Sequence, residues 1–363
     1  MDETFSRFSH LLDYMAQPIF GIRDGKIVYR NNAAAKKLVQ IGDDASLYLC
    51  EDEALCDGSA PAHMNIRVGG AVCGAAVEQQ GDVRLYIVDP VKREPLHSDT
   101  LFTVSQILRE PLTSLLSTST TLFPLLEELE NSDVQHQLAS INRGFYQLLH
   151  LTCNLSELHN AMQDEISLHR ERIELCAFFY ELYERTRSLC LAKSIELACI
   201  LPQQMFYGWI DRQRIERAVL NLLSNAIKFT PAGGKITMRL ENAGTNAIFR
   251  LTDTGEGFPP DVLASAFSRF DRPLQLGDPR WGVGIGLKLV QKIAQLHGGS
   301  VVVQSKPNEG ATVTMSLSLK TPTAAQLVES PIAAIDYTGG YRHELAELAD
   351  VLPADIFDSR NVN

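Results

Sequence analysis

The chain has 363 residues, 45% of them hydrophobic and 21% charged, with a formal net charge of −11. That length implies two or three domains, and the acidic balance excludes non-specific nucleic-acid binding, which needs a basic surface. No window approaches the ~18–20 apolar residues of a membrane helix. The opening "MDETFSRFSH" lacks the basic and apolar regions of a signal peptide, so a cytoplasmic location is expected. Seven scattered cysteines without a CxxC pair read as reduced thiols rather than a disulfide framework or a zinc ribbon.

Residues 1–95 read as a small α/β module. "PIFGIRDGKIVYRN" gives two short strands around Asp24-Gly25, a strong hairpin signal. A helix is expected in "NNAAAKKLVQ", with Asn31 or Asn32 as its cap. Strands are expected in "HMNIRV", "AVCGAAVEQ" and "DVRLYIVD". This order resembles the PAS sensor fold, and any small α/β cap of similar order is the alternative.

Residues 98–165 read as two long helices joined at "ENSD". In the second, Leu138, Ile141, Phe145, Leu148, Leu155, Leu158 and Met162 approach a heptad seam. Two helices bury little alone, so pairing with a second copy into a four-helix bundle is expected. Packing of the hairpin on a neighbouring domain is the alternative. Pro111 and Pro124 are expected to kink the first helix.

Residues 170–320 read as an α+β sandwich. Helices are expected at 173–191, 211–228 and 285–297. Strands are expected at 195–200, 235–241, 246–252, 300–305 and 311–319, covered by helices on one face. Residues 321–363 form an acidic tail, seven acidic residues against two basic. Its segment "YRHELAELADVL" is amphipathic, with Leu345, Leu348 and Leu352 near one face, able to dock on the body or on a partner.

The chemistry-bearing residues lie in the third unit. In "NLLSNAIKFTP" a helical period sets Asn221, Asn225 and Lys228 on one arc, opposite an apolar side. Carboxamide oxygens suit Mg²⁺ and an ammonium suits phosphate; a solvated helix face is the alternative. "LTDTGEGF" ends a strand in Asp253 and continues through Gly255 and Gly257. A carboxylate there can accept from a purine amino group, and glycine admits a sharp turn; a surface turn is the alternative. "WGVGIGLKLV" sets Gly282, Gly284 and Gly286 directly before a helix, where free N–H groups suit a phosphate. The spacing is not GxGxxG and follows no strand, which disfavours a dinucleotide fold.

The order Asn helix, DxGxG, "FSRF", GxGxGL and a glycine before the closing strand resembles the ATP-binding domain of sensor histidine kinases. The resemblance spans about 98–320 and is strongest over 211–312. It implies that Asn225 holds Mg²⁺ on ATP with Asn221 beside it, that Lys228 meets phosphate oxygens, and that Phe229 packs on adenine. It implies that Asp253 bonds the adenine amino group and that Gly255 and Gly257 line the base pocket. Residues 259–283 become a mobile lid with Arg272 near the phosphates, folding against Gly282, Gly284 and Gly286. Leu287 and Thr312 complete the implied set.

The family's hairpin motif Ser-His-Glu-Leu-Arg-Thr-Pro-Leu corresponds to Ser105 through Leu112. Gln106 stands for the histidine, Ile107 for the acid and Glu110 for the small polar residue. An amide nitrogen is not basic, and an isoleucine accepts no proton. The resemblance therefore implies an ATP-binding signalling protein unable to autophosphorylate at the usual site, working as a homodimer through 98–165 or beside an active homologue, with a response regulator as a possible partner. An active kinase using another histidine, or a partner in trans, is the first alternative. An assembly module with a vestigial pocket is the second.

Overall fold

The computed structural model describes residues 12–13, 15–37, 39–50, 62–69, 71–88, 98–127, 132–162, 168–259, 263, 285–321, 338 and 340–358. In the N-terminal module, β1 (Ile19–Arg23) and β2 (Lys26–Arg30) form the expected hairpin. Asp24 and Gly25 have φ of +51° and +71°, the left-handed pair that a type I′ turn requires. Asn31 Oδ1 accepts from Ala34 N at 2.9 Å and from Ile19 N at 2.9 Å, capping α1 (Asn32–Ala35) and fastening β1. This helix is shorter than expected, because the chain turns away to bury Val39. Strands β3 (Ala62–Val68), β4 (Ala71–Gln80) and β5 (Val83–Val88) complete an antiparallel sheet in the order β2-β1-β5-β4-β3. Its core holds Phe20, Ile27, Met64, Ile66 and Tyr86, with the Phe20 and Tyr86 rings stacked at 5.1 Å.

The hairpin consists of α2 (Ser98–Glu127) and α3 (Ser132–Met162). Helix α2 runs as one helical segment through Pro111 and Pro124. Pro111 leaves the Ile107 carbonyl without its helical donor, and Ile107 lies on the exposed side, 66% accessible, where water can serve instead. The apolar residues of α3 fall into two sets that differ in burial. Ile141 and Leu148 are about half exposed, while Tyr146, Leu149 and Cys153 are buried. Of the expected seam, Ile141 and Leu148 face outward, whereas Leu138 is buried and Phe145 packs against the main core.

The third unit builds β6 (Glu171–Glu174), α4 (Leu175–Ala192), β7 (Glu196–Ile200), β8 (Tyr207–Ile210), α5 (Arg212–Phe229), β9 (Lys235–Asn242), β10 (Asn246–Asp253), α6 (Ile285–Leu296), β11 (Val301–Lys306) and β12 (Gly310–Ser318). Strands β6 and β8 pair as a small ribbon that the sequence reading did not foresee. Helix α5 buries Ile215, Val219, Leu222, Leu223, Ala226 and Ile227. At roughly 1.5–3 kcal/mol for each large apolar side chain, that face anchors the helix to the sheet.

Two joints tie the units together. Strand β3 pairs with β11 at His63↔Val303 and Ala62↔Gln304, so one ten-stranded sheet runs β2-β1-β5-β4-β3-β11-β12-β10-β9-β7. Val302 is buried in the core of the N-terminal module, with Ile248 packed against it. The second face of the larger sheet is therefore partly covered as well. The tail makes the other joint. Its helix α7 (His343–Leu348) and the 3-10 turn Ala354–Phe357 pack on α3 and α5. Leu345, Leu348 and Leu352 are buried, as the amphipathic pattern predicts for docking on the body.

Candidate nucleotide-binding site

The start of α5 is fixed by a side-chain lattice. Asp211 caps it, Oδ1 accepting from Arg214 N at 3.2 Å while Oδ2 accepts from His169 N at 3.0 Å. The Asp211 N–H donates to His297 Nε2 at 3.0 Å, which ties this cap to the end of α6. Burial lowers the His297 pKa to about 4, so its ring stays neutral and accepts. His297 thus serves as a buried structural acceptor.

The far end of α5 meets the end of β10. Phe229 O accepts from Glu256 N at 3.2 Å, pinning the "DTGEG" loop to the helix terminus. Asp253 is 9% exposed, and its Oδ1 accepts from Gly255 N at 2.9 Å and Ala311 N at 3.2 Å. Burial raises the Asp253 pKa, opposed by these two backbone donors. Among the described residues no hydrogen bond falls on Oδ2, which leaves an acceptor for an external amino group. Gly310 has φ of +86°, and a Cβ there would stand 2.0 Å from the Asp253 carbonyl oxygen. Gly257 has φ of +66°, and its Cβ would meet Lys306 O at 2.1 Å. Both glycines are required by geometry. Phe258 was not singled out by sequence reasoning. Its ring centroid lies 6.2 Å from that of Phe229, and its N–H donates to Ser305 Oγ at 2.8 Å. The two rings lie where the end of α5 meets the loop that follows Asp253.

Asn221, Asn225 and Lys228 share the arc of α5 that the period assigned them. Asn225, Lys228 and Phe229 are half-buried, whereas Asn221 is only 4% exposed. Gly286 of α6 crosses Asn221 so closely that a Cβ would lie 2.7 Å from Asn221 Oδ1. Leu287 is half-buried against the main core. Asn221 Nδ2 donates to Arg217 O at 3.1 Å and to Glu347 Oε2 of the tail at 2.6 Å. This buried network also takes in His150, Asn154 and Arg217, none of which the motif search picked as site residues.

Thr312 is a correction. Its Oγ1 lies 3.0 Å from Thr252 Oγ1, and successive side chains alternate across a sheet. It therefore stands on the face opposite Asp253, while Ala311 faces the site instead. Arg272, Gly282, Gly284 and most of the expected lid at 259–283 lie outside the described residues, as do the side chains of Gln106 and Glu110.

Residues 210–321 match the family described as histidine kinase-, DNA gyrase B- and HSP90-like ATPase. The sensor histidine kinase TmoS of Ectopseudomonas mendocina is 30% identical over 247 residues, covering 68% of this chain and 25% of that protein. The sensor histidine kinase RppB of Synechocystis is 30% identical over 220 residues, 58% of this chain and 47% of its own. This chain thus spans about a quarter to a half of these relatives. The crystal structure of full-length ShkA in complex with AMPPNP shares the fold, with a TM-score of 0.51 at 24% identity over 62% of this chain and 47% of that one. No described helix is long and apolar enough to cross a membrane. The chain therefore carries an ATP-binding domain of the histidine kinase type, within sequence similar to signal-transducing sensor kinases.

Proposed function

We propose that this chain binds Mg-ATP and signals as a sensor-kinase relative that does not autophosphorylate at its usual hairpin position. The observation that carries the reading is the pairing of Asp253, held by two backbone donors with Oδ2 available, with Asn225 and Lys228 on the facing helix. Asp253 accepts from the adenine amino group, and Phe229 and Phe258 flank the base. Asn225 offers one neutral oxygen to Mg²⁺. No group of three His, Cys, Asp or Glu that could hold a metal occurs among the described residues. Lys228 neutralises phosphate charge, with Arg272, Gly282 and Gly284 of the lid segment closing the site.

The N-terminal module acts as a PAS-like sensor, a reading supported by its five-stranded antiparallel sheet and short helix. The hairpin serves as a homodimer interface. Val104, Leu108, Leu115, Leu122 and Leu125 of α2, with Ile141 and Leu148 of α3, are exposed at near-heptad spacing. A second copy covers them in a four-helix bundle, and an active homologue with the same stripe can take its place. A response regulator is the downstream partner, and the protein works in the cytoplasm.

Incubation with γ-labelled ATP tests the reading. Saturable binding lost in Asn225→Ala, without acid-labile, base-stable phosphate on the chain, is the expected outcome. Phosphohistidine on the wild type overturns the inactivity. One observation favours a second reading, an active kinase with a displaced acceptor: His150 of α3 faces α5 and the tail, its Nε2 standing 3.2 Å from Glu347. Label that survives Gln106→Ala and vanishes in His150→Gln establishes that reading.

A further inference from the structure

Groups from two helices converge on one carboxylate of the tail. Glu347 of α7 is 0% exposed. Its Oε1 accepts from Arg217 Nε at 3.1 Å and its Oε2 from Asn221 Nδ2 at 2.6 Å. His150 Nε2 stands 3.2 Å from the same Oε2. Arg217 Nη2 also donates to Asn154 Oδ1 at 2.7 Å, which holds the guanidinium in place. Asp350, near the end of the same tail segment, lies 3.4 Å from His150 Nδ1, and the charge of Lys228 acts on it.

The rest of the tail is fastened around these contacts. Arg143 Nε donates to Ala349 O at 3.1 Å, and Asn142 Nδ2 to Phe357 O at 3.0 Å. Arg185 Nη2 donates to Glu344 Oε2 at 2.6 Å. The Phe357 ring lies 5.4 Å from that of Tyr146. The segment thus fills the seam between the hairpin and the ATPase domain, and residues 322–337 connect it to the sheet.

On the nucleotide reading, Asn221, Asn225 and Lys228 are the residues of α5 on the phosphate side of the site. A guanidinium, a carboxamide and an imidazolium bind carboxylate and phosphoryl oxygens by the same charge-assisted hydrogen bonds. Two anions cannot share those donors, and a buried carboxylate repels a triphosphate brought beside it. The geometry points to an intramolecular competitor: Glu347 and Asp350 occupy an oxyanion site formed by His150, Arg217 and Asn221, and the phosphoryl oxygens of a nucleotide take that site when the tail leaves. Tail docking and nucleotide binding then exclude one another. Docking also clamps the ATPase domain to α3, so release of the tail frees the two to move. This inference rests on the nucleotide reading of the α5–β10 site.

Two measurements on the full chain test it. The first is titration with a fluorescent ATP analogue and Mg²⁺ for the wild type and for the Glu347→Gln/Asp350→Asn variant, which keeps side-chain shape while removing both charges. Closure weakens apparent affinity in proportion to the fraction open, so a tail docked nine-tenths of the time predicts binding about tenfold tighter in the variant. The second is hydrogen exchange of residues 343–358 in the wild type, with and without saturating Mg-ATP, which needs no substitution. Faster exchange with nucleotide is expected. Nucleotide binding with unchanged or slower exchange in the tail, and equal affinity in the variant, overturns the competitor and leaves the nucleotide site standing. Absence of binding in both proteins overturns the nucleotide reading and the competitor with it. Binding by the variant alone supports both.

Discussion

Helix α5 presents the same kinds of side chain at both ends and treats them differently. Arg217 and Asn221 are buried beneath the tail and bonded to Glu347, while Asn225, Lys228 and Phe229, one to two turns on, stay half-open toward Asp253. The apolar side of the helix is continuous along its length and does not distinguish the two ends. What distinguishes them is a segment more than a hundred residues later in the chain, whose Glu347 bonds Arg217 and Asn221 directly. A polar arc on a helix is thus a set of donors whose use is decided by what reaches it.

The largest effect is expected where that difference is broken outright. Arg217→Ala leaves Glu347 buried without its guanidinium and should cost about 3–5 kcal/mol in urea unfolding. A cost below about 1 kcal/mol means the covered end is not covered in solution. Next comes the open end. Gly310→Ala forces a Cβ against the Asp253 carbonyl at positive φ, and should cost about 1–3 kcal/mol while weakening nucleotide binding. Unaltered binding in a folded variant separates Gly310 from the site.

Asp253→Asn sharpens the comparison with a smaller structural change. Its Oδ1 still accepts from Gly255 and Ala311, but the second oxygen becomes a donor facing the purine amino group. Nucleotide affinity should fall about tenfold or more, with stability altered by less than about 1 kcal/mol. An unaltered dissociation constant removes Asp253 from base recognition.

The covered end should also respond to pH. Burial disfavours the His150 imidazolium, but Glu347 and Asp350 prevail and raise its pKa from 6.5 to about 9. The groups facing it are those two carboxylates from the tail and Asn154 of its own helix, with Arg217 of α5 sharing Glu347. A group whose folded pKa is raised stabilises fully below its unfolded value and loses that contribution as pH rises through the folded one. The urea midpoint should therefore decline from about pH 6.5 to pH 9 and above, and His150→Gln should flatten that decline. An equal decline in both proteins assigns the effect elsewhere. The smallest stability effect is expected at the outward stripe. Leu115→Ser should change monomer stability by no more than about 0.5 kcal/mol, yet weaken self-association in sedimentation. Unchanged association places the dimer contact away from α2.

Much of this organisation was legible in local pattern. The Asp24-Gly25 turn, the two long helices, the polar arc of α5 and the strand-ending Asp253 all follow from periodicity or turn chemistry, which depend on neighbours a few residues away. The misses share one cause. Ile141 and Leu148 matched a heptad seam and stay exposed, but no local pattern records that Tyr146 packs inward against Tyr341 and Phe357 of the tail. Thr312 was placed by motif order, while the alternation of β12 against β10 turned it outward. Phe258 could have been found in "DTGEGF" as the aromatic closing the loop, but its approach to Phe229 is set by Ser305 on another strand.

By itself the sequence determined the two long helices, the glycines at forced left-handed positions, the apolar and polar faces of α5, and the glutamine at position 106. These are properties of spacing and of single side chains, fixed before any long-range contact forms. Only the tertiary structure decided that β3 joins β11 in one sheet, that the acidic tail folds back between hairpin and ATPase domain, and that Asn221 bonds a tail carboxylate. Those outcomes depend on which distant surfaces complement one another in shape and charge. A buried Glu347 is stable only where Arg217, Asn221 and His150 already converge, and no local pattern in "HELAEL" records that.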